Sequence, residues 1–114
     1  MIITLCGSAK FENGFHDWNE RLTLAGHCVF SLAVFPSVKN GEKNWYSDEI
    51  KQTLDLAHFH KIDASEAIVV INQDGYVGFS TTREIEWAKR KGKAVYYTEG
   101  NAERPAVDLL TGSR

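Results

Sequence analysis

The chain has 114 residues, with 13 Lys and Arg against 15 Asp and Glu, for a formal net charge of −2. A domain of this length buries a full core without disulfide or metal staples. Its charges are scattered, which excludes the basic stripe of a polymeric nucleic-acid binder. No apolar run approaches the length of a bilayer span, so no membrane partner is expected.

Met1 leads into an apolar run without a basic leader, so a cytoplasmic location is expected. Ile2 to Cys6 is continuously apolar and predicts a central strand covered on both faces. The small-residue turn Gly7-Ser8-Ala9-Lys10 follows it. From Gly14 to Ala25 the residues Phe15, Trp18, Leu22 and Ala25 recur at helical spacing, and Gly26 supplies the stop. Cys28 to Leu32 reads as the second strand. Cys6 and Cys28 both fall inside expected strands and read as buried, reduced small hydrophobes.

Ala33 to Trp45 is irregular and polar, and it reads as a lid or substrate wall over the strand ends. Ser47 then caps a long helix running to about Ala64, with Asp48 and Glu49 in its first turn. Ile50, Leu54, Ala57 and Lys61 share one face, and Leu56, Phe59 and Ile62 widen the apolar stripe.

The most informative stretch runs from Glu66 to Tyr97. Ala67 to Ile71 is a buried parallel strand, Asn72 to Phe79 a loop with two glycines around Tyr76, and Ser80-Thr81-Thr82 cap chemistry for another helix. That helix ends at Gly92, and Ala94 to Tyr97 is the next strand. Beyond Tyr97, Ala106 to Leu110 reads as a short strand or an arm, and residues 100–114 as a tail or oligomerisation arm. Four parallel strands, or five with the tail, alternating with three helices give an α/β protein. The expected form is a three-layer α/β/α domain, flavodoxin- or Rossmann-like in connectivity.

In such sheets ligands sit at the carboxyl ends of strands, against helix N-termini. Gly7, Ser8, Ala9 and Lys10 there offer backbone N–H groups and an ammonium to an anion. Tyr76, Gly78, Ser80 and Thr81 offer an aromatic face, close backbone approach and hydroxyls suited to a sugar or phosphate. Trp45 and Tyr46 are candidate walls for a flat ring. Glu84 reads as a first-turn glutamate, held ionised by the helix N-terminus and so suited to nucleophilic attack. His58 shares a helix face with Lys61, while His60 reads as solvated. No Walker loop, GxGxxG or cluster of ligand spacing is present, so neither a metal nor an organic cofactor is expected.

The combination of CGSAKF after the first strand, HKIDASEAIVVIN and GYVGFSTTREIEWAKRKGKAVYY resembles the nucleoside 2-deoxyribosyltransferase-like superfamily. The likeness runs from Ile2 to about Glu99. It is nearest to the small, often phage-encoded members and to the related 2′-deoxynucleoside 5′-phosphate N-hydrolases. The resemblance implies that Glu84 attacks the anomeric carbon of a 2-deoxyribosyl group. It also implies that the Ser8–Lys10 turn contacts sugar or 5′-phosphate, that Tyr76 or Trp45 lines the base, and that the chain is a homo-oligomer. Relatives carry an acidic aspartate at the offset where His58 stands here. His58, with an unperturbed pKa of about 6.5, is therefore the expected catalytic acid. The alternative on the same fold is a non-catalytic nucleotide-binding module.

Overall fold

A computed structural model describes residues 1–35, 38–39, 42–43, 46–100 and 104–111. Its centre is strand β1, Ile2–Gly7, in which Ile3 through Cys6 are fully buried. The fully buried strand β5, Ala67–Ile71, pairs with it in parallel, in the register Ile3↔Ala67 to Gly7↔Ile71. Strand β2, Cys28–Phe30, lies on the outer side of β1, and strand β6, Ala94–Tyr97, lies beyond β5. The four-stranded parallel sheet therefore has the order β2-β1-β5-β6, as the βαβ pattern predicts.

Alternation along the strands divides the core into two layers. Ile3, Leu5, Val69 and Ile71 face helix α1, Glu12–Leu24, and pack on Phe15, Trp18 and Leu22. Cys6, Ile68 and Val70 face the opposite side, where Ile62 of helix α2, Asp48–Asp63, and Ile85 and Ala88 of helix α3, Phe79–Arg90, complete a second cluster. Helices thus cover both faces. Helix α1 begins slightly before the predicted Gly14, after a 3-10 turn over Ala9–Phe11. Ser47 caps α2 as expected, its Oγ accepting from the Ile50 amide at 3.2 Å.

Several expectations need correcting. Cys28 is exposed, because it opens β2, an edge strand of three residues. Within the stretch read as wholly irregular, Val38–Lys39 (β3) pairs antiparallel with Glu42–Lys43 (β4). On α2 only His58 and Ile62 are buried, and Ile50 and Leu56 are exposed. The apolar stripe overstated that helix's contact with the sheet because part of it borders a cavity instead. Ala106–Leu109 forms a 3-10 turn rather than a strand, with Ala106 buried in the α1 layer. A parallel bridge joins Tyr97 to Pro105, and the His27 Nε2 proton goes to the Leu109 carbonyl at 2.8 Å. Among the described residues, no helix is long and apolar enough to cross a membrane.

Candidate active site

The carboxyl end of β1, the loop after β5, the face of α2 and the first turns of α3 surround a cavity of about 440 Å³, within the range of small-molecule sites. Gly7, Ser8 and Ala9 enter it from the turn after β1. The Ser8 side chain is committed locally, its Oγ accepting from the Lys10 amide at 3.4 Å. Gly7 has φ +153, and a Cβ there would meet the Ile71 carbonyl oxygen at 2.9 Å. A glycine at this point lets the chain leave the sheet while β1 stays paired with β5.

The loop after β5 brings Tyr76 and Gly78 to the cavity, followed by Ser80, Thr81 and Glu84. Asn72 anchors that loop from a buried position. Its Oδ1 accepts from the Glu99 amide at 2.9 Å and the Thr98 hydroxyl at 3.1 Å, and its Nδ2 donates to the Glu99 carbonyl at 3.0 Å. Asp74 at φ 55 and Gly75 at φ +79 take the left-handed turn. Gly78 has an ordinary φ of −80, but a Cβ there would lie 3.1 Å from the Tyr76 hydroxyl. Gly78 therefore makes room for the Tyr76 ring. Lys10 is not a lining residue. Its ammonium stands 3.6 Å from the Tyr76 ring centroid, a cation–π contact. Trp45 lies outside the described residues, and Tyr46 lines the cavity.

The expected cap of α3 takes a different form. Gly78 is the N-cap, no side chain caps the helix, and the Thr82 hydroxyl donates back to the Gly78 carbonyl at 2.9 Å. Because α3 starts at Phe79, Glu84 falls in the second turn rather than the first. The macrodipole fades within one turn, whereas burial penalises the charged form directly. Burial prevails, raising the Glu84 carboxyl from 4.5 to about 7; a thiol hydrogen bond from Cys6 pulls it down in part. The expectation of a firmly ionised Glu84 is therefore corrected.

His58 faces Glu84 from α2, with Nε2 3.9 Å from Oε1 and 3.5 Å from Cys6 Sγ. It is 5 % exposed, and its Nδ1 is buried with no hydrogen-bond partner among the described residues. Burial, helped by the nearby Lys61 charge, lowers it from 6.5 to about 4. At neutral pH it is a neutral imidazole, which overturns the expectation that its ordinary pKa suits it to acid catalysis. Lys61 is itself oriented, donating to the Ser31 carbonyl at 2.8 Å. Burial also raises the Cys6 thiol well above 9.0.

Cys6, expected as inert core, lies against this site, and Leu54 and Phe79, for which the sequence carries no functional signal, line the cavity together with Asp55. Along the chain no cluster has ligand spacing, hence the expectation of no metal. In space, donor atoms of Cys6, His58 and Glu84 all lie within 4.8 Å of one another, a set able to hold one cation. The only signal in the sequence was the position of each residue at a strand end or on a sheet-facing helix turn.

No protein-family model and no curated protein matches the sequence. Among solved structures, the chain is similar to a 2-deoxyribosyltransferase from the psychrotolerant bacterium Bacillus psychrosaccharolyticus, described as a biocatalyst for industrial synthesis of antiviral and antitumoral nucleosides. The TM-score is 0.65 at 20% identity, over 97% of this chain and 80% of that one. The two share a three-layer α/β/α fold.

Proposed function

We propose that this chain, on a 2-deoxyribosyltransferase fold, cleaves or exchanges the N-glycosidic bond of a 2′-deoxynucleoside or its 5′-monophosphate. The observation that carries this reading is the position of Glu84, its side chain 12 % exposed and lining a cavity at the carboxyl edge of the sheet. In the proposed reaction a Glu84 carboxylate oxygen attacks C1′, the C1′–N bond breaks with its electron pair going to the base, and the base takes a proton from solvent or from the charged form of His58 as it departs. Water or a second base then attacks C1′ and releases Glu84. An oxocarbenium-like transition state gains most from a carboxylate in a site with little water, because its positive charge develops against that anion. The raised pKa of Glu84 also gives a more basic carboxylate once the proton has left.

His58 holds and orients the Glu84 carboxyl group in this proposal, and acts as proton donor only from its minor charged form. Tyr76 supplies a face for the base. The Gly7–Ala9 turn and Lys10 at the rim attract a 5′-phosphate, with Ser80 and Thr81 beside the sugar. Glu86 and Trp87 lie on a separate groove with Leu56 and Phe59. That groove is the proposed contact between copies in a homo-oligomer. A non-catalytic nucleotide-binding role gains support from one observation: with Glu84 raised to about 7 and His58 lowered to about 4, both buried groups are largely neutral between those two pH values.

The test is incubation with the four 2′-deoxynucleosides and their monophosphates, with free base resolved by chromatography. Base released by the parent protein and not by Glu84→Ala is the expected result. Tight nucleotide binding with no base released from any substrate would favour the binding module instead.

A further inference from the structure

The floor of the cavity also has the makings of a metal centre. Cys6 comes from β1, His58 from α2 and Glu84 from α3, so three packed elements fix three different donors. A thiolate, an imidazole and a carboxylate suit zinc, whereas magnesium and calcium take oxygen ligands. With Zn–S about 2.3 Å and Zn–N about 2.0–2.1 Å, tetrahedral geometry separates sulfur from nitrogen by about 3.5 Å. Cys6 Sγ and His58 Nε2 stand 3.5 Å apart. The same geometry puts nitrogen and carboxylate oxygen about 3.3 Å apart. Nε2 and Oε1 are at 3.9 Å, within reach of a small carboxylate rotation.

Charge favours the same occupant. One thiolate, one carboxylate and a neutral imidazole cancel a divalent cation, leaving a buried centre with no net charge. Three protein donors leave a fourth position for water or a ligand. The cavity that His58 and Glu84 line can supply it, with Cys6 buried behind them.

We propose that Cys6, His58 and Glu84 bind one Zn²⁺ at the base of the cavity, and that the bound ion holds the protein inactive by occupying the Glu84 carboxylate. Binding sends the thiol proton, and the carboxyl proton where present, to solvent, and chelation reverses it. Metal binding itself is independent of the glycosidic reaction; the inhibitory consequence rests on the function proposed above.

The test uses the chelator-treated 114-residue chain carrying Cys28→Ser, which removes the exposed thiol and leaves Cys6 as the one cysteine of this sequence. Titration with Co²⁺ is expected to give a thiolate-to-cobalt charge-transfer band in the near ultraviolet, saturating at one equivalent and bleached by Zn²⁺. Adding Glu84→Gln should keep the band and weaken cobalt binding at least tenfold. Absence of the band, or visible cobalt absorption without it, overturns the site. Loss of base release at one equivalent of Zn²⁺, restored by chelator, supports the inhibitory role, and undiminished release by zinc-loaded protein overturns it. If the chelated protein releases no base from any substrate, the glycosidic reading fails, while the cobalt spectrum still decides the metal site.

Discussion

Replacing Glu84 with Gln in metal-free protein should raise stability and abolish activity together. The carboxyl is raised from 4.5 to about 7 chiefly by burial. A raised acid pKa means that the fold prefers the protonated form. Stability from this group is therefore full below pH 4.5, falls as pH rises from 4.5 toward 7, and is lowest above 7. A difference of about 2.5 pK units corresponds to about 3 kcal/mol at pH 8 and above. Glutamine has nearly the same shape and never ionises, so the variant should recover most of that amount at pH 8 and almost none at pH 4.5. For a chain of this length, about 3 kcal/mol is roughly a 10 °C rise in Tm. The assay pairs thermal melts of both proteins at the two pH values with chromatographic detection of free base. A Gln variant that melts below the parent at pH 8 would refute the claim that the carboxylate is held at a cost. Retained base release would refute its role in the chemistry.

Asn72→Ala strips the buried anchor of three side-chain hydrogen bonds to Thr98 and Glu99, so a loss of about 2–4 kcal/mol is expected in urea unfolding. Gly7→Ala forces a Cβ to within 2.9 Å of the Ile71 carbonyl at φ +153. It should cost about 1–3 kcal/mol and lower activity as the end of β1 shifts beside Cys6. Ser47→Ala removes only the α2 cap, giving a loss of about 1 kcal/mol with base release unchanged. An effect on kcat from that last variant would mean that α2 positions the site less rigidly than its packing indicates.

The sheet and its helices were legible because their signals are local. Apolar runs such as Ala67–Ile71 and the 3.6-residue spacing of Phe15, Trp18 and Leu22 survive in any tertiary context. The cavity lining from Gly7 to Ala9 and at Tyr76, Gly78, Ser80 and Thr81 was legible for a related reason, since a parallel sheet sends those turns to one edge. What escaped was set by contacts distant along the chain. Cys6 and His58 are 52 residues apart, and no spacing rule announces that β1 and α2 bring them together at Glu84. The protonation of Glu84 was not legible because it sits one turn past the helix end, where burial, which depends on the tertiary fold, outweighs the dipole. On α2, periodicity marked an apolar stripe without distinguishing a sheet contact from a cavity wall. The edge position of β2, which exposes Cys28, depends on strand order and is invisible in a five-residue pattern.

The central claim is that Glu84 forms a bond to the sugar carbon. Incubating metal-free protein with a 2-deoxy-2-fluoro nucleoside, whose fluorine slows breakdown of a glycosyl-enzyme, and then mapping the labelled peptide by mass spectrometry tests it directly. A single glycosyl adduct on Glu84, absent from Glu84→Gln, is the predicted result. Base release with the adduct on another residue, or with none at all, would contradict it.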